Sequence, residues 1–123
     1  MIKTILLVGL GGGIGSIVRY LGTYLINKLF HINFPLGTLI VNILGCLLVG
    51  LLIGFFEREQ LVHSNLKYLF ITGFCGGFTT FSAFSAESFQ LFESGNTFPA
   101  ILYITASVLI GLLAVWLGLI LVK

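Results

Sequence analysis

The sequence predicts an all-α, integral membrane four-helix bundle whose third helix is broken. Three observations carry this. The 123 residues are 58% hydrophobic and only 8% charged, too little charge to cover a water-soluble domain. The apolar residues collect in four segments, residues 5–29, 36–56, 66–89 and 98–122. Each is near the ~20 residues that a helix needs to cross a bilayer, and membrane strands would be about half as long and would alternate. The third segment then places a glycine cluster and a run of hydroxyls, GFCGGFTTFSAFSAE from Gly73 to Glu87, where a lipid-facing helix should be most regular. The whole chain, 1–123, reads as one four-span domain joined by short polar connections.

The first segment holds VGLGGGIGS, Val8 to Ser16. It looks like a dinucleotide fingerprint but misses the G-x-G-x-x-G spacing, and no acidic residue lies ~20 positions on. Glycines at a tight helix crossing explain it better. Arg19 lies deep in the same segment, where an arginine costs about 3 kcal/mol even on a lenient insertion scale. Two readings stay open. It pairs with carbonyls or snorkels toward an aqueous vestibule, or it raises the local potential for an anion. The segment runs on to Ile26 without an A-x-A-type site, so it reads as a span rather than a cleaved leader.

Pro35 suits the start of the second helix. Within it, Thr38, Asn42 and Gly45 share a face by their i, i+4, i+7 spacing. Asn42 is either an interhelical hydrogen bond or the lining of a polar path, since its NH₂ offers two uncharged donors to an anion that must shed water. Gly37 and Gly45, the G-x-x-x-G of Gly50 and Gly54, and Gly111 with Gly118 in the fourth segment let helices approach closely.

In the third segment Gly73, Gly76 and Gly77 interrupt the helical pattern and Thr79 to Ser85 resume it. Non-helical backbone at membrane depth survives only where protein buries it or water lines it. A break leaves two half-helices. The first ends in carbonyls able to hold a cation; the second begins with N–H groups and a positive dipole end, and Thr79 and Thr80 are placed to cap that start. Phe81, Phe84 and Ser85 share a face, and Ser82 joins Ser85 at i+3. Aromatic edges are positive and hydroxyls donate, so both suit an anion. A glycine kink with back-bonded serines leaves break, donors and aromatics without a common reason. On the last segment Tyr103 and Ser107 lie one turn apart and either add donors to the same path or anchor neighbouring helices. Glu87 is expected at a helix end, in a vestibule.

Several classes are excluded. Cys46 and Cys75 lie in apolar segments without a second ligand at metal spacing, and His31 and His63 are loop residues. There is no nucleophile–base pair and no phosphate loop, so an enzyme is not expected. A net charge of +2 with dispersed basic residues does not suit nucleic acid. Lys3, Arg58, Lys67 and Lys123 fall on one side of the membrane and Lys28 on the other, so the positive-inside rule favours cytoplasmic termini. Four short helices enclose little interior, and a pore calls for a second subunit.

GGGIGSIVRY (Gly11 to Tyr20), PLGTLIVNILGC (Pro35 to Cys46) and GFCGGFTTFSAFSAE resemble the signature blocks of the CrcB/Fluc fluoride channels, over essentially the whole chain. The resemblance implies a passive, fluoride-selective channel of the bacterial cytoplasmic membrane that relieves fluoride toxicity. It implies an antiparallel, dual-topology homodimer with two pores, a pair of oppositely oriented paralogues being the alternative. It also implies a structural sodium ion at the dimer centre, held by backbone carbonyls of Gly76 and Thr79. Phe81, Phe84, Asn42, Tyr103 and Ser107 then match pore positions, with hydroxyls of Thr80, Ser82 and Ser85 beside them. Arg19 and Glu87 match the first-helix arginine and the vestibule glutamate. The common TTFSTFS reads TTFSAFS here, so Ala83 removes one donor. The rival reading, a proton-coupled exporter like the small multidrug transporters, needs an intramembrane carboxylate in the first helix, yet the first acidic residue is Glu57, in a loop. A purely structural subunit would leave Asn42 and the break without purpose.

Overall fold

The computed structural model describes residues 1–122; Lys123, one of the charges weighed for topology, lies outside them. Five helices make four spans. They are α1 (Ile2–Leu29), α2 (Leu36–Arg58), α3 (Tyr68–Cys75, π-wound, continued by the α-helical Gly76–Phe78), α4 (Phe81–Glu93) and α5 (Thr97–Val122). The third span is α3 and α4 together, Tyr68–Glu93. The expected boundaries shift by a few residues, most at its end. Serine and glycine past Glu93 stop the helix there: Gly95 adopts φ +83°, and the amides of Gly95 and Asn96 return to the carbonyls of Phe92 and Leu91. This is the usual glycine-terminated helix end.

The glycine cluster of the third span is not itself the break. Gly76–Phe78 is helical, and the chain opens one step later, at Thr79 (φ −89°, ψ 158°) and Thr80 (φ −147°, ψ 118°). The glycines serve packing. A Cβ on Gly77 would fall on the Gly12 carbonyl oxygen, and one on Gly73 would lie 3.0 Å from that of Val8. From the other side, a Cβ on Gly11 or Gly15 would strike the carbonyl oxygen of Leu69 or Phe74. α1 and α3 therefore touch backbone to backbone. In lipid the hydrophobic effect does not drive helices together, so this close approach supplies much of the association. A second seam joins α2 to α5, where Gly50 faces the Val115 carbonyl and Gly118 faces Leu47 and Leu51.

Few side chains are fully enclosed. Ala100, Tyr103 and Leu91 form a small core with Phe34, Leu39 and Phe84 against it. The outer faces carry exposed Ile17, Leu21, Leu112, Leu113 and Trp116, as suits helices solvated by lipid. The chain is a multi-pass membrane protein.

Gly15→Ala forces α1 off α3 and should lower stability by about 1–3 kcal/mol, the usual cost of overpacking. Gly13→Ala, which meets open space, should not. Thermal unfolding of the purified variants in detergent compares them directly.

Candidate functional site

The break is held open by side chains from its neighbours. Asn42, about two turns into α2, donates from Nδ2 to the Thr80 carbonyl at 3.0 Å and accepts the Thr80 N–H on Oδ1 at 2.8 Å. One side-chain amide thus satisfies both polar groups of one unwound peptide residue, as a neighbouring strand would. Orphaned backbone groups at membrane depth cost several kcal/mol each, so this pairing lets the break exist. α2 comes close enough because Gly45, three residues on, leaves room for Thr79 and Phe78; a Cβ there would strike the Thr79 methyl.

Both half-helices are then capped. The Thr79 hydroxyl and N–H donate to the Cys75 carbonyl at 2.9 and 3.0 Å, closing α3. The Thr80 hydroxyl accepts the Ala83 N–H at 3.2 Å, opening α4, as N-cap threonines do. Arg19 of α1 donates from Nε to the Gly77 carbonyl at 3.0 Å. That sets a cation at the negative end of α3 and settles how the intramembrane arginine is compensated: it pairs with a carbonyl.

These diversions free two other carbonyls. In an unbroken helix the Thr80 N–H would bond Gly76 and the Ala83 N–H would bond Thr79. Here the first goes to Asn42 and the second to the Thr80 hydroxyl. The Gly76 and Thr79 oxygens are left without those donors, and Gly76 is exposed with no neighbour within 4 Å of where a Cβ would stand. Neutral, hard oxygens in this state are the donor type a small alkali cation takes. Among the described residues no group of three or more His, Cys, Asp and Glu is placed to hold a metal ion.

A cavity of about 340 Å³ opens beside the break, between α2, α4 and α5. Asn42, Thr80, Phe81, Phe84 and Ser107 line it, as do Thr79 and an apolar wall of Cys46, Val49, Val108 and Val115. Asn42 keeps one Nδ2 proton beyond the one given to Thr80. The Ser107 oxygen is buried without a hydrogen-bond partner. The Phe81 and Phe84 rings meet at 5.7 Å between centroids, tilted so that edges as well as faces are presented.

Other expected site residues fall elsewhere. Tyr103 is fully buried and gives its hydroxyl to Glu87 Oε1 at 3.2 Å, while its ring packs on Phe84 and Phe34. Ser82 and Ser85 lie on the exposed side of α4 together with Phe81, which is 78% exposed. Glu87 sits in the middle of α4 rather than at a helix end. It lines a second cavity of about 430 Å³, with Asn33 and Pro35 of the first connection and Ser94 and Asn96 of the last. Its other oxygen accepts from the Thr38 hydroxyl at 3.0 Å. Thr38 is the functional neighbour that sequence reasoning left without a role. The signal was its spacing: Thr38 and Asn42, one turn apart on α2, hold two points of the third span.

The chain matches the family described as CrcB-like protein, Camphor Resistance (CrcB), over residues 6–119. It is 52% identical to a protein of Flavobacterium psychrophilum over 98% of both chains. It is 50% identical to one of Azobacteroides pseudotrichonymphae over 100% of this chain and 98% of that one, and 48% identical to one of Phocaeicola vulgatus over 94% and 95%. Each of these relatives bears the name fluoride-specific ion channel FluC.

Asn42→Leu keeps the bulk of residue 42 but orphans the Thr80 N–H and C=O, each at about 1–3 kcal/mol. The variant should unfold more easily, and its Thr80 amide should exchange with deuterium much faster. Ser85→Ala, on the exposed side, should leave both readouts unchanged.

Proposed function

The chain belongs to the CrcB-like family, and we propose on that premise that it is a fluoride-specific ion channel, a passive conduit and not an enzyme. The observation that carries this reading is the cavity at the break. It joins Asn42 Nδ2–H, the unpartnered Ser107 hydroxyl and two phenyl rings, with Thr79 and Thr80 of the break and a wall of Cys46 and three valines.

Fluoride holds water tightly, so a path for it must return donors without binding so firmly that the ion stays. Uncharged donors and ring edges meet that demand, since they favour an anion weakly and at several points. Among the described residues no cationic side chain lines the cavity. The guanidinium nearest the break is occupied with the Gly77 carbonyl and contributes field rather than a ligand. Glu87, fixed by Tyr103 and Thr38, stands at the second cavity, which suits a vestibule between the loops.

The assembly is part of the proposal. Phe81, Ser82 and Ser85 stand exposed beside the cavity, where lipid would be a poor neighbour for two hydroxyls. A second, antiparallel copy of this chain, lying in the bilayer against that side, covers them and completes the path. The same pairing brings the freed carbonyls of Gly76 and Thr79 together with their symmetry mates, and these would hold a sodium ion. Its charge would stabilise four carbonyl dipoles at the centre of the pair; it takes no part in moving the anion.

Purified protein in liposomes should release fluoride far faster than empty vesicles, while chloride stays inside. Fluoride loss no faster than the empty-vesicle leak would remove the channel reading. Because Phe81 is mostly exposed, Phe81→Ile should leave a folded protein yet bring fluoride efflux down to the leak. Replacing sodium by a large organic cation should lower the melting temperature and favour the single chain over the pair, as read by native mass spectrometry.

A further inference from the structure

Glu87 lies in the middle of α4, whereas Glu57, Glu59 and Glu93 stand at helix ends. Among the described residues the ion pair is Arg58 with Glu59, at the opposite end of α2 from the second cavity. Glu87 instead takes two neutral donors, the hydroxyls of Thr38 at 3.0 Å and Tyr103 at 3.2 Å. A carboxylate has about four lone-pair sites, so about half of its accepting capacity is unspent. The cavity beside it, about 430 Å³, is lined by further polar side chains: Asn27 from the end of α1, Asn33 from the first connection, and Gln90, Ser94 and Asn96 around the end of α4. Two of these hold an oxygen in reserve. Asn96 gives Nδ2 to Ser94 Oγ at 3.0 Å, and Ser94 donates to the Leu91 carbonyl at 3.2 Å. That orients the Asn96 amide with its nitrogen engaged and its oxygen open. Asn27 Oδ1 rests on the start of α2, 2.9 Å from where a Cβ of Gly37 would stand. The last turn of α4 has no basic residue. Lys28, in the last turn of α1, does not line the cavity.

One carboxylate among neutral oxygens suits a hard cation that keeps much of its water. The cavity has room for roughly 14 waters at ~30 Å³ each, more than the six to eight oxygens that complete a calcium shell. Water can therefore fill the positions that the protein leaves open, and a group of three acidic or imidazole ligands is not required. With a single charged ligand the affinity is weak, in the range of about 10⁻⁴–10⁻³ M. Where the cavity serves as the vestibule proposed above, a cation beside Glu87 also offsets a charge that would repel an entering anion. That consequence rests on the channel reading; the site itself does not.

We propose that the second cavity is a binding site for a hard divalent cation of the calcium type, with Glu87 as its charged ligand, the amide oxygens of Asn96 and Asn27 beside it, and water completing the shell. The test reads binding and not transport. Terbium(III) seeks the same oxygen ligands as calcium and emits when a neighbouring tyrosine passes it excitation; Tyr103, bonded to Glu87 Oε1, stands at the site. Purified full-length protein in a non-ionic detergent and fluoride-free buffer should give saturable, tyrosine-sensitised terbium emission that millimolar calcium displaces. Glu87→Gln keeps an accepting oxygen but removes the charge, and should lower the emission at least tenfold. Glu93→Gln changes an exposed carboxylate outside the cavity and should leave the titration as it is. Asn96→Ala keeps Glu87 and its two hydroxyl partners, so it decides the matter even where Glu87→Gln does not fold; it should weaken terbium binding severalfold. Wild-type protein without saturable emission, emission that survives in Glu87→Gln, an equal loss in Glu93→Gln, or unchanged affinity in Asn96→Ala overturns the proposal.

Discussion

The two hydrogen bonds between Asn42 and Thr80 are the constraint on which the remaining structure depends. A bilayer offers no water to an unwound residue, so a break in a span needs its polar groups paired from within the protein. Most side chains satisfy one backbone group. A carboxamide satisfies a donor and an acceptor at once, in the geometry of a peptide, and carries no charge to desolvate. Once Thr80 turns to Asn42, the helix cannot continue through it. The Thr79 and Thr80 hydroxyls then cap the two ends thus created, and the carbonyls of Gly76 and Thr79 lose their donors. One interhelical pairing leaves both a cavity with uncharged donors, on the α2 side, and carbonyl oxygens without their helical donors, on the open side.

Such a break would be loose were its flanks free to move. The glycine seam between α1 and α3 prevents that, because backbones in direct contact leave no side chain to re-adjust. Arg19 adds a charge-assisted bond to the last turn of α3. Its placement also separates two fields: the cation lies at the carbonyl end of α3, and the N–H end of α4 faces the cavity. The α2–α5 seam does the same for the other wall. Gly50 and Gly118 bring those helices together, so that Ser107 on α5 faces the same space as Asn42 on α2. The site is built from three spans, and the two seams hold them at fixed distance.

Much of this was legible in the residues. Span number, glycine crossings, the presence of a break and the singular status of Asn42 and Arg19 all follow from asking what a membrane tolerates. The location of the break did not. Glycines signalled it, yet they are helical and packed, and the opening falls at two threonines whose β-branched shape and hydroxyls suit extended, capping positions. The π winding of α3 was also invisible, since LFITGF has no composition that separates a five-residue turn from a four-residue one. Tyr103 was legible as polar but not in direction. Its hydroxyl turns away from the cavity because Glu87, without an ion-pair partner among the described residues, takes donors from Tyr103 and Thr38 instead.

The placement of that carboxylate also separates a channel from a coupled exporter on physical grounds. An exporter driven by protons needs an acid that alternates between substrate and proton, open to both sides in turn and poorly satisfied in each state. Of the acids in the chain, Glu57 and Glu59 lie at the end of α2 and Glu93 ends α4. Glu87 has each oxygen held by a hydroxyl from a different helix, which fixes the side chain in one place. Among the described residues no acid lines the cavity at the break. Its polar groups are uncharged donors in an apolar wall, and such a surface has no state to switch by protonation. A channel lined in this way, as proposed above, lowers the barrier for an anion equally in both directions, and net movement through it follows the gradient alone.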